Sequence, residues 1–156
     1  MWLKQSAMLH PDRIRDPLER MDAADRLAEL NDARLTLADD ERRANALHAL
    51  LGGPSARDDQ SLPDGFLMEI MEVREAMETA LSDEGDAGRS RFESWAQDRR
   101  VQHLSAITTG FETLESLDSE TDRSAALRAV RVELNAWRYI ERMIEQLDPD
   151  HDALHA

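Results

Sequence analysis

The sequence contains no cysteine. Disulfides, thiolate zinc sites, cysteine-ligated iron–sulfur clusters and cysteine nucleophiles are all excluded by that absence. Aromatic residues are scarce at 4%, and 156 residues hold only six glycines and five prolines. No stretch alternates apolar and polar residues with β-branched enrichment, so no sheet is expected. No apolar run approaches the length of a membrane span, and the N-terminus lacks the apolar segment of a signal peptide, which leaves a cytoplasmic location as the default. Glycine-rich phosphate loops are missing, as are the GxSxG and GxGxxG patterns. Positive charge is in short supply: 19 Lys and Arg stand against 33 Asp and Glu, for a net charge of -14. A field of that sign repels nucleic acid backbones and anionic membranes alike. What remains is 41% apolar and 33% charged, rich in Ala, Leu, Glu, Asp and Arg, a composition that favours helices throughout.

Two helical blocks emerge along the chain. A short helix over residues 2–9 is expected to stop at the His10-Pro11 step, because a residue before proline resists helical backbone angles. Asp16-Pro17 opens a second helix whose apolar positions are Leu27, Leu30, Ala33 and Leu37. Asp39 or Asp40 caps a third, with Ala44, Leu47 and Leu51, and Gly52-Gly53-Pro54 ends it. Residues 53–63, GPSARDDQSLP, are polar with two prolines and read as a linker. From Asp64 the pattern strengthens. Phe66, Ile70, Val73, Met77 and Leu81 share one helical face. SDEGDAG, residues 82–88, reads as a turn. A long helix to about residue 117 has Leu104, Ile107, Phe111 and Leu114 inward. After a cap at Asp118 or Ser119, a last helix carries Leu127, Val130, Leu134, Trp137 and Ile144. Three long helices with short connections suggest an antiparallel bundle, and the tail after Pro149 is expected to fray.

Two features stand out from this frame. The first is His10-Pro11-Asp12 between two expected helices. Alone, the tripeptide is also what any proline-stopped loop with an Asp cap looks like. Its surroundings are locally basic: Lys4, Arg13, Arg15 and Arg20 face only Asp12, Asp16 and Glu19, for +1 over the first twenty residues against -15 over the rest. Such a loop could dock on an acidic protein surface, or its bases could be scattered solvated residues. The second is FLMEIMEVREAME, residues 66–78. With Phe66 at zero and about 100° per residue, the core positions cluster within about 60°, Leu67 and Met71 point about 100–140° away, and Met68 about 200° away. Glu75 and Glu72 lie beside them. Leu67 and Met71 fit either the flank of a wide core or an exposed docking patch; Met68 favours the patch, where adaptable thioethers suit protein binding. Tyr139 lies about 180° from Val130 on the last helix and is either a binding anchor or an ordinary exposed tyrosine.

Together, MLHPDRIRDP, the following LAELNDARLTL and the FLMEIMEVRE segment resemble the HscB family of J-type co-chaperones. Asn31, Ala33, Leu37 and Arg43-Ala44 fall in that family's NxAxxxL and RAxxL pattern, and the resemblance runs from His10 to about Leu147. It implies an all-α protein: a truncated J-domain helical hairpin over residues 1–52, a linker over 53–63, an antiparallel three-helix bundle over 64–148 and a tail over 149–156. J domains carry a further helix before the one that leads into the HPD loop, and a chain beginning MWLKQSAMLHPD is read as lacking it. The resemblance further implies that Lys4, His10, Pro11, Asp12 and Arg13 contact an HscA/DnaK-like chaperone and promote its ATP hydrolysis. Leu67, Met68, Met71, Glu72, Glu75 and Tyr139 match positions that bind an IscU-like iron–sulfur scaffold. With no cysteine in the chain, any cluster must sit on that partner. Thr79 departs from the family, which often has an acid there, so the acidic rim is expected to be weaker. An adaptor that binds the scaffold without activating a chaperone is the second expectation.

Enzymatic chemistry is not expected, and neither a metal nor another cofactor. Di-metal bundles need paired Glu-x-x-His motifs facing inward, and no histidine here has a Glu three residues before it. His151 and His155 are spaced as a metal pair but lie in the acidic tail without a third ligand.

Overall fold

A computed structural model describes Ile14 and residues 16–147. The helix expected over residues 2–9, the His10-Pro11-Asp12 tripeptide and the tail after Pro149 lie outside the described residues. Within them are five α-helices and no strand: α1 Pro17–Ala38, α2 Asp40–Leu50, α3 Phe66–Glu84, α4 Asp86–Glu115 and α5 Glu120–Leu147. The chain divides into two compact units, one ending at Leu47 and the other beginning at His48.

In the first unit the helix starts follow local capping chemistry. The Asp16 carboxylate accepts from the backbone N–H groups of Leu18 and Glu19, with Pro17 in the first turn, where its missing N–H costs nothing. Asp39 caps α2 by accepting from Arg42 N at 2.8 Å. The expected apolar stripe is only partly realised. Leu27 and Leu30 are half-buried, but Ala33 is exposed, and Leu37 and Leu47 are 64% and 41% exposed. Ala23 is the one buried residue of α1. Polar neighbours fill so much of these two helices that their apolar residues do not line up into one continuous face.

The second unit is an up–down–up bundle. Contacts descend α3 as they climb α4, from Glu84–Arg91 to Glu69–Arg99 and Phe66–His103. They run oppositely again between α4 and α5, from Arg89–Leu147 through Arg100–Glu141 and His103–Glu133 to Leu114–Arg123. Phe66, Ile70 and Met77 of α3 meet Phe92 and Ala96 of α4 and Ala136, Ile140, Met143 and Leu147 of α5 in one core. Val73 and Leu81 pack against its edge, so the expected α3 face is the core face. The expected stripe on α5 is buried at Leu127, Val130, Leu134 and Trp137. Trp137 satisfies its indole N–H on Glu141 one turn on, and Glu141 also pairs with Arg100 at 2.8 Å. Arg123 donates to the Leu114 carbonyl in the last turn of α4 at 2.6 Å and to the Leu117 carbonyl just past it at 3.4 Å.

The expected seven-residue turn over 82–88 shrinks to Gly85. α3 continues to Glu84 and α4 starts at Asp86, with Gly85 at φ +56°, which suits a residue without Cβ. The acids of this segment are simply exposed helical residues. Gly88 serves packing: a Cβ there would lie 2.5 Å from the Ala80 carbonyl oxygen, so only glycine lets the two helices approach so closely.

Residues 48–63 run alongside α5. His48 is buried, with Nε2 2.8 Å from Leu127 O. Asn135 Nδ2 donates to Asp59 O at 3.0 Å and Ser61 O at 2.9 Å. The stretch read as a linker is therefore fastened to the bundle. Ser61 N donates to the Asp59 carboxylate at 3.0 Å, and hydrogen bonds from Ser61 hold that carboxyl below its ordinary pKa. Burial pushes the His48 imidazole below its ordinary pKa of 6.5, opposed by the hydrogen bond with Leu127 and reinforced by Arg131. A histidine with a depressed native pKa stays neutral in the fold at pH values where the unfolded chain takes up a proton. The stability it contributes is therefore intact above the ordinary value and declines as pH falls below it. Melting temperature should drop between about pH 7.5 and about pH 5, and less so in His48→Gln, which keeps an N–H for Leu127 O but does not titrate.

Candidate functional site

The first turns of α3 leave an unusual number of apolar side chains in solvent. Leu67 is 52% exposed, Met68 69% and Met71 71%, while Phe66, Ile70 and Met77 of the same helix are buried. Helical spacing joins the exposed set: Leu67 and Met71 are four apart, Met68 and Met71 three, and Met68 and Glu72 four. Glu72 and Glu75 are exposed and continue this face. Tyr139 of α5 is 36% exposed. Its ring is not turned fully away from the core, as its helical angle to Val130 implied. It stands edge-on to Phe66, with centroids 5.9 Å apart. The buried arc of α5 drifts along the helix to Ala136, Ile140 and Met143, which brings position 139 to the core's margin.

The face has an acidic flank. A shallow depression between α3 and α4 is lined by Glu72, Glu75, Thr79, Glu84 and Arg91. Arg91 is held by Glu84 at 2.8 Å, and Thr79 Oγ1 donates to the Glu75 carbonyl at 3.0 Å. Glu84, five positions beyond Thr79, is a further acid of this depression. Sequence reading missed Glu84 and Arg91 because it placed Glu84 in a turn; the helix-continuing acids at 83 and 84 were the available signal. On the other flank, Arg74 donates to Gln146 of α5 at 3.0 Å. The residues expected to contact a chaperone, Lys4, His10, Pro11, Asp12 and Arg13, lie outside the described residues. Among the described residues no group of three or more His, Asp or Glu could hold a metal ion, and no helix is long and apolar enough to cross a membrane.

Comparison with known proteins bears on the second unit as a whole. Residues 62–148, which include all of α3, α4 and α5, match the family model of the HSCB C-terminal oligomerisation domain. The chain belongs to the HscB family. Among its relatives is a co-chaperone protein HscB homolog of Shewanella baltica, 31% identical over 152 residues, which span 94% of this chain and 82% of that protein. The Vibrio cholerae homolog is 43% identical over a shorter 73 residues, 45% of this chain and 43% of the relative. The HscB match thus covers the unit that carries the exposed Leu67, Met68, Met71 and Tyr139, and the longer alignments extend into the first unit as well.

Proposed function

We propose that the chain is a co-chaperone adaptor of iron–sulfur cluster assembly that performs no catalysis of its own. It binds an IscU-like scaffold on the bundle and presents it to an HscA/DnaK-like chaperone, whose ATP hydrolysis it stimulates through the His10-Pro11-Asp12 loop. The observation that carries the reading is the exposure of Leu67, Met68, Met71 and Tyr139 around one end of α3, with Glu72 and Glu75 beside them. Family membership supports the co-chaperone role.

The physics of the face suits that task. Apolar side chains supply burial at about 25 cal/mol per Å² before the costs of association. The glutamates favour a basic counterpart and penalise an acidic one. Holding scaffold and chaperone on one chain raises the effective concentration of one for the other.

The test is chaperone ATP turnover measured with the full chain, with the scaffold, and with both. The expected result is a several-fold acceleration that falls back to the basal rate in His10→Gln while scaffold binding persists. Scaffold binding without any acceleration would instead leave an adaptor that does not activate the chaperone.

A further inference from the structure

Beneath the exposed face lies a set of polar contacts that the docking reading does not use. His103 of α4 is buried and donates from Nδ1 to the Glu133 carboxylate of α5 at 2.8 Å. The fixed imidazole stands edge-on to Phe66, with centroids 5.9 Å apart and planes at 79°. Phe66 meets Tyr139 at the same 5.9 Å and 80°. Phe66 is thus gripped between a buried histidine and the exposed tyrosine, at the first residue of the helix that carries Leu67, Met68 and Met71. Asn135, one turn before Tyr139 on α5, holds the chain entering that helix through Asp59 O and Ser61 O. Phe66 N closes the entry on Pro63 O at 3.1 Å. The helix start has no side-chain cap of its own, since Gly65 stands at that position. Its placement therefore depends on these contacts from α4 and α5.

We propose that His103, Glu133 and Asn135 are positioning residues for the docking face: His103, locked by Glu133, buttresses Phe66 and through it orients Tyr139, while Asn135 fixes the register in which α3 begins. This rests on the reading of the face as the scaffold-docking surface, but the buttress itself is a property of the free protein. Aromatic rings favour this edge-to-face arrangement, which biases one ring orientation when the imidazole that frames it cannot turn.

Tyr139 is the only tyrosine in the chain, so selective ring labelling gives a single reporter by NMR. In the free full-length chain, His103→Ala should shift the Tyr139 ring signals and speed ring flipping. Glu133→Gln, which keeps an acceptor for the imidazole N–H, should leave them close to those of the parent. Asn135→Ala should shift the amide signals of residues 66–68 more than those at the far end of α3. Scaffold affinity supplies the second readout through a double-mutant cycle. His103→Ala should weaken binding by about tenfold in the parent and by much less when Tyr139 is already alanine, because residues that act through one another are not additive. Equal losses in both backgrounds, or Tyr139 ring signals unmoved by His103→Ala, would overturn the buttress. If His103→Ala fails to fold, His103→Asn, which retains an N–H toward Glu133 but lacks the ring, is expected to give the same Tyr139 shifts, and their absence refutes the proposal equally. If Tyr139→Ala leaves scaffold affinity unchanged, the docking reading falls and the ring signals alone decide the buttress.

Discussion

Replacing Leu67, Met68 and Met71 together by serine should lower scaffold affinity by at least about 100-fold while leaving the helices intact. Each of the three is more than half exposed in the free protein, so none contributes much to the core. Fully burying a Leu or Met side chain is worth about 1.5–3 kcal/mol, and a few central residues usually carry most of an interface's energy. Even with strong non-additivity and a generous discount for area already buried, about 3 kcal/mol is lost, which corresponds to the stated factor. The cost to the helix itself is small, since serine is only about 0.5 kcal/mol per position worse than leucine or methionine in a helix. Calorimetric titration of the scaffold gives the affinity, and circular dichroism of the same samples gives the helix content. Replacing Glu72 and Glu75 by glutamine should act more gently and chiefly on the association rate, as rim charges do.

The second large effect is on stability and comes from the neighbour of Tyr139. Ile140 is wholly buried, among α3 and α4 side chains, whereas Tyr139 sits at the margin. Ile140→Ala leaves a cavity in a close-packed core and should cost about 2–5 kcal/mol. For a chain of this size that corresponds to a fall in melting temperature of about 5–15 °C. Tyr139→Ala should cost far less in stability and far more in scaffold binding. Thermal denaturation followed by circular dichroism, with binding measured on the same two variants, separates the roles of adjacent residues.

The bundle was legible because its helices are long and its apolar spacing is regular. Phe66, Ile70, Val73, Met77 and Leu81 recur at helical intervals, and α5 does the same from Leu127 to Trp137. The exposure of Met68 was legible for the same reason, since it falls opposite that face. The 82–88 segment misled because Ser, Asp and Gly favour turns as isolated residues. Here Gly88 instead permits close helix contact against Ala80, and the acids are solvated helical positions. The first unit was less legible. The repeat of Leu27, Leu30, Ala33 and Leu37 is sparse among charges, and Leu37 ends largely exposed. No local pattern could show that Asn135 binds the backbone at Asp59 and Ser61, or that Glu133 meets His103 thirty residues away. Those are long-range pairings that exist only once the helices have packed. Buried polar residues such as His48 carry no periodic signature either: its burial depends on a partner carbonyl at Leu127.

Methionine methyl signals offer the most direct test of the docking face. Met68 and Met71 are exposed on α3, while Met77 on the same helix and Met143 on α5 are buried. Titrating methyl-labelled protein with the unlabelled scaffold should broaden and shift the Met68 and Met71 signals at the lowest ratios and leave Met77 and Met143 nearly in place. Binding that leaves Met68 and Met71 unmoved would mean that the scaffold sits elsewhere and that this face is not where it docks.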